Sequence, residues 1–149
     1  MPTIPGLRSP YAKTGRLVYF GRMLDKIRLH ATGALPADYV ENLGTGFDGR
    51  CCRFLRVDYT ALRDRALAGD LDDAGLLAWC HAQGGERTDE ECEVWNVFMM
   101  KRGWRDAGAP TLARRIRESA LENRPVMTMF DYLDFDEGRE PVSARAWEQ

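Results

Sequence analysis

Glu93-Val-Trp-Asn-Val-Phe-Met-Met-Lys-Arg-Gly-Trp-Arg-Asp106 is the stretch that decides the fold. At about 100° per residue, Cys92, Trp95 and Met99 form one stripe of a helix, Val94 and Phe98 flank it, and Val97 and Met100 lie further round. A helix apolar on so much of its circumference is expected at the buried centre of a helical domain. Asn96 sits among these apolar neighbours and needs a hydrogen-bond partner once buried. Just upstream, Thr88-Asp-Glu-Glu91 has the spacing of a reciprocal capping box, with acidic residues favoured by the helix dipole. Gly103 closes the helix, so the spacing predicts a central helix near 88–103.

Working outward, Leu17–Ala31 reads as the first long helix. Phe20, Leu24, Ile27 and Ala31 share one side, while Arg22, Asp25 and Lys26 fall largely opposite. Gly33 suits its left-handed end and Pro36 resists continuation. Residues 32–49, with four glycines, read as a loop of the length at which such segments tend to be functional. Asp48 is expected to cap a short helix through Cys52, Phe54 and Leu55, with a strand over 51–57 as the competing reading. Asp58 caps a helix over Tyr59–Ala68 that stops at Gly69, and Asp70 or Asp72 caps the next, which ends at Gly84-Gly85. Thr111–Glu122 and Met127–Glu137 follow as helices, bounded by Pro125 and Gly138. The expected fold is all-α: one compact domain of six or seven short helices around the 88–103 helix, over residues 17–138. An irregular arm, 1–16, precedes it, held down by Leu7, Tyr11 and Leu17, and a loosely held tail, 139–149, follows, with Trp147 able to dock.

With 44% hydrophobic and 30% charged residues and a net charge of −2, the 149-residue chain reads as an ordinary globular protein. The small acidic excess argues against a dedicated nucleic-acid binder. Residues 1–10 lack the apolar core of a secretory leader, and no run reaches the 18 or so apolar residues of a membrane span. A cytoplasmic location is therefore expected, with Cys51, Cys52, Cys80 and Cys92 reduced.

No metal and no cofactor is expected. Cys51-Cys52 and Cys80-His81 are adjacent pairs, His30 stands alone, and neighbours on a helix diverge too far to share one ion. Cys51 or Cys52, near Arg50 and Arg53, would have a lowered pKa if they served as nucleophiles, but no base is defined. Asp131, Asp134, Asp136 and Glu137 crowd one segment, and Lys101-Arg102 or Arg114-Arg115 are the expected counter-ions. Arg22–Asp25 and Asp25–Arg28 have the spacing of helix ion pairs. Trp104, between Arg102 and Arg105, is placed to stack a base or sugar.

Three boxes resemble the domain of unknown function family 5069, a small bacterial family. They are Gly21-Arg-Met-Leu-Asp-Lys-Ile-Arg-Leu29, Gly46-Phe-Asp-Gly-Arg-Cys-Cys-Arg-Phe-Leu55 and the Glu93–Asp106 stretch. Met129-Phe-Asp-Tyr-Leu-Asp-Phe-Asp-Glu-Gly-Arg139 is similar to its C-terminal box. One departure is Arg56, where a helix-ending glycine is expected. The resemblance implies a compact bacterial cytosolic protein and brings no reaction, cofactor or partner. It places polar residues inside the recurring boxes: Arg22, Asp25, Asp48, Arg53, Asn96, Arg102 and Asp131.

The leading functional expectation is a small-molecule-binding or catalytic domain for a polar, anionic or polyhydroxylated ligand. Arg22, Arg53, Asn96, Arg102 and Trp104 would bind it, and Asp25, Asp48 or Asp131 would act as general base. The alternative is a non-enzymatic homo-oligomeric or protein-interaction module, with Val18, Leu29, Tyr39 or Trp147 on its surface. A nucleic-acid accessory role through Arg114-Arg115-Ile-Arg117 and Trp104 is a third. The sequence does not decide between catalysis and binding. The first reading needs a pocket with charges the protein does not pair; the second needs those charges mutually satisfied and an apolar patch outside.

Overall fold

A computed structural model of the chain describes residues 3–140. Among them the fold is all-α apart from one minute hairpin. The elements are β1 (Lys13–Thr14), β2 (Leu17–Val18), α1 (Phe20–Ala31), α2 (Ala37–Val40), α3 (Gly46–Leu55), α4 (Tyr59–Leu67), α5 (Asp73–Gly84), α6 (Asp89–Lys101), α7 (Ala109–Glu118) and α8 (Met129–Asp136). No described helix is long and apolar enough to cross a membrane. The chain divides into two compact units, Pro5–Phe98 and Met99–Gln149 with Met1–Ile4.

In the larger unit the expected arm contains structure of its own. Lys13 pairs with Val18 and Thr14 with Leu17 in an antiparallel hairpin turned at Gly15, whose φ is 56°. Leu17 and Val18 therefore belong to a strand, and α1 starts three residues later than the apolar spacing suggested. Leu7, Tyr11, Leu17 and Val18 are buried. Val18, expected on an outer surface, is fully enclosed.

Local signals placed most helix ends. Asp58 accepts from the Ala61 amide at 3.0 Å and opens α4; Asp72 accepts from Gly75 at 2.8 Å and opens α5. Thr88 and Glu91 exchange both bonds of the capping box, Oγ1 accepting from the Glu91 amide at 3.1 Å and Oε1 from the Thr88 amide at 2.8 Å. The ambiguous 51–57 window is helix. It ends at Leu55, because Arg56 takes the left-handed position (φ 58°) in which glycine was expected. Residues 32–45 hold the single turn α2, which the glycine count concealed.

α1 packs on α4 and the hairpin, and α3 and α4 both pack on α5. The C-terminus of α5 comes so close to that of α3 that a Cβ on Gly84 would fall on the Leu55 carbonyl. Only glycine permits that approach. The polar side of α1 is not a solvent face: Arg22, Asp25 and Lys26 are buried along with Phe20, Met23 and Leu24. Conversely, α6 is not sheathed all round. Cys92 and Trp95 are buried, yet Val94, Val97 and Phe98 are 65%, 42% and 41% exposed.

In the smaller unit α7 packs on α8. Both are shorter than expected: α7 ends at Glu118, before Ala120 at φ 55°, and α8 begins at Met129 after its cap Thr128. Residues 141–149, and with them Trp147, lie outside the described part of the chain.

Candidate functional site

The larger unit holds two features of interest, a buried polar centre and an open apolar groove. The polar centre is built on α1 and the start of α3. Tyr19 ends the hairpin in a left-handed conformation (φ 74°), a strained backbone for an aromatic residue. That turn sends its ring inward, edge-on to Phe47 with centroids 5.7 Å apart. Its hydroxyl donates to Asp48 Oδ1 at 2.7 Å and accepts from Lys26 Nζ at 3.0 Å. Lys26 Nζ lies 2.8 Å from the same carboxylate oxygen. The other oxygen of Asp48 accepts from the Gly44 amide at 3.0 Å. Asp48 is therefore no N-cap. It is fully buried, with its carboxylate turned inward to the lysine and tyrosine. Burial first, then the Asp48 charge, holds the Tyr19 phenol well above the usual tyrosine range, while Arg22 pulls it down.

A second cluster ties the segment before the hairpin to α1. Asp25 accepts from the Arg8 amide at 3.0 Å and from its guanidinium at 2.8 and 2.9 Å. The same guanidinium donates to Asp73 at 2.6 Å and to the Gly21 carbonyl at 3.0 Å. It lies flat on α1 because Gly21 has no Cβ to obstruct it. Arg28 completes the set, 2.9 Å from Asp73. Burial raises the Asp73 carboxyl, but hydrogen bonds from Arg8 and Arg28 outweigh it, and the net shift is downward. Among the described residues Asp25 pairs with Arg8 and Arg28 with Asp73, partners more distant in sequence than the expected Asp25–Arg28 helix pair. Arg22, only 2% exposed, donates to the Arg8 carbonyl at 3.0 Å.

Asn96 is buried and occupied. Its Oδ1 accepts from the Val18 amide at 3.1 Å and its Nδ2 donates to the Arg16 carbonyl at 2.6 Å. It is the peg that holds the hairpin to α6. Arg53 is exposed and lies across Gly49. The thiols are not activated: burial pushes Cys52 up to about 12 and Cys51 higher than usual, and Cys80 to about 12. Desolvation outweighs the neighbouring cations at Cys51 and Cys52, so the lowered thiol pKa weighed for them is not found. No group of three or more metal-ligating side chains is assembled among the described residues.

The apolar groove runs between α3 and α6. It encloses about 480 Å³ and is lined by Phe54, Glu90, Glu91, Val94, Trp95 and Phe98. Phe54 stacks on Trp95 with centroids 5.1 Å apart, and Arg50, one turn before Phe54, places its guanidinium 5.1 Å from the Phe98 ring. Glu90 and Arg50 form no ion pair among the described residues.

In the smaller unit, Asp106 accepts from the Gly103 amide at 3.0 Å and the Gly108 amide at 2.8 Å, with Arg102 3.6 Å away. Trp104 is 43% exposed with Arg105 stacked on it at 5.1 Å. Asp131 accepts from the Met127 amide at 3.1 Å, and its own amide donates to Thr128 Oγ1 at 3.1 Å, so both ends of that residue secure the start of α8. The acidic segment finds its cation at Arg139, 3.3 Å from Asp134 and 2.5 Å from Glu137.

Arg8, Tyr19 and Asp73 were not anticipated. A signal existed for Tyr19: with Arg22 and Lys26 it continues one polar stripe at i, i+3, i+7. Across residues 4–139 the sequence matches the family described as Domain of unknown function (DUF5069). No curated protein matches the chain.

Proposed function

The chain belongs to the DUF5069 family, whose description names no reaction, and from the geometry we propose that the domain is a non-enzymatic interaction module working through the α3–α6 groove. One observation carries this reading. Polar residues of the first two boxes are engaged within the protein, Asp25 by Arg8 and Asp48 by Lys26 and Tyr19, while Val94, Val97 and Phe98 turn to solvent. Apolar side chains grouped on one exposed helix face mark a surface that something covers. The stacked Phe54 and Trp95 form a rigid floor of the kind that dominates protein interfaces.

The test is a photo-cross-linking side chain placed at Val94 in the native cell, with Arg63 on α4 as the exposed control. A discrete protein adduct from Val94 and none from Arg63 is expected. Absence of any adduct at Val94 overturns the reading.

A second reading rests on Tyr19. A strained aromatic backbone joined to a buried lysine–aspartate pair is an arrangement also used to hold a polar, anionic or polyhydroxylated ligand, with Asp48 as base. A thermal-shift screen of such compounds tests it. A ligand that raises the melting temperature of the wild type and not of Asp48→Asn would favour this reading; a screen without such a ligand counts against it.

A further inference from the structure

The groove is asymmetric in charge, and that asymmetry identifies what covers it. At one end Glu90 and Glu91 line the rim; at the other Arg50 stands over Phe98. Glu91 is partly taken up by Arg87, 3.5 Å away. Among the described residues Glu90 and Arg50 have no such ion pair. On α6, Glu90 and Phe98 are two turns apart, about 12 Å along the axis. Val94, the most exposed of the apolar residues on this face, lies midway.

We infer that the surface recognises a second copy of this chain, with α6 packed antiparallel on α6 of the partner about a twofold axis through Val94. In this register residue numbers facing each other sum to a constant. Val94 meets Val94, and Glu90 of each copy meets Phe98 of the other, where Arg50 of that copy waits. One patch thus supplies both halves of its own complement, as an isologous contact requires. Each copy satisfies the other's unpaired acid and base. A parallel arrangement would set acid against acid and base against base, and is disfavoured. Two helical turns and one face of α3 make a patch that is small beside the about 800 Å² per partner of a standard interface. Association is therefore reversible and visible on dilution.

This inference rests on the groove being the working surface, and its failure is separable from failure of that reading. The measurement is sedimentation equilibrium of the full chain over a dilution series. Wild type is expected to show a reversible monomer–dimer equilibrium. Val94→Glu, which sets two carboxylates on the axis, is expected to weaken it by at least about a hundredfold. Arg50→Glu and Glu90→Arg each weaken it by about tenfold, and the two together restore it to within about threefold of wild type. Of the three positions changed, Val94 and Glu90 are exposed and Arg50 partly so, and circular dichroism should report an unaltered fold. Wild type that stays monomeric throughout overturns the inference, as does a dimer indifferent to Val94→Glu or a charge swap that fails to rescue. If Val94 then still cross-links to a different protein, the surface reading stands and only the identity of the partner falls. If Val94 cross-links to nothing, both fall together.

Discussion

Replacing Asp48 by Asn exchanges a single oxygen for an NH₂ group and should cost more than any exposed substitution in this chain. In the native site one carboxylate oxygen accepts from Tyr19 at 2.7 Å and lies 2.8 Å from Lys26, while the other accepts from the Gly44 amide at 3.0 Å. An amide has one acceptor oxygen. Turned toward Lys26 and Tyr19 it opposes its NH₂ to the Gly44 N–H; turned the other way it opposes it to the ammonium. Either way Lys26 is left facing a neutral partner in a site from which water is excluded, with side chains 7% and 0% exposed for the pair. Breaking a buried pair from one side costs about 3–5 kcal/mol. For a chain of this size that is a fall of roughly 6–20 °C in melting temperature. Lys26→Met in the Asp48→Asn background removes the stranded amine and should recover much of the loss, a coupling of about 1–3 kcal/mol in a double-mutant cycle. Urea denaturation of the four proteins measures it. A cost below about 1 kcal/mol, or strict additivity of the two changes, would refute the claim that this pair is a desolvated unit.

Two other outcomes follow from the same physics. Asn96→Ala leaves the Val18 amide and Arg16 carbonyl without their side-chain partner and should cost about 1–3 kcal/mol; hydrogen exchange should show faster loss of the Val18 amide proton, and unchanged exchange there would contradict its role as a peg. At alkaline pH, the buried thiols of Cys52 and Cys80 have folded-state pKa values raised from 9.0 to about 12. A raised pKa on an acid means the fold favours the protonated form, so their contribution is fully present below pH 9 and is lost as pH climbs toward 12. Unfolding free energy should decline over that window, and Cys80→Ala should shallow the slope by about one proton; an unchanged slope would sink the assignment.

What the sequence made legible was local. Asp58, Asp72 and the Thr88–Glu91 pair open helices as their spacing suggests, because a cap and its amide lie within three residues. The polar side of α1 was misread because its partners are distant: Arg8 is 17 residues from Asp25, and Tyr19 is 29 from Asp48. Periodicity assigns charged residues to solvent by default and has no means of seeing another segment arrive to cover them. The opposite error occurred at α6. Hydrophobic spacing told that Val94, Val97 and Phe98 are apolar, and apolar residues were assigned to a core, although side-chain chemistry does not specify whether the covering atoms belong to the same chain. The groove became visible only when α3 placed Phe54 on Trp95 and Arg50 on Phe98.

The most direct measurement is the accessibility of the Val94 and Val97 methyl groups to a soluble paramagnetic probe, followed by NMR over a protein dilution series, with the exposed Leu67 methyls on α4 as internal control. If the outer face of α6 is the surface through which two copies meet, the valine methyls are relaxed strongly in dilute protein and become shielded as concentration rises, while Leu67 does not change. Valine signals that track Leu67 at every concentration would contradict it.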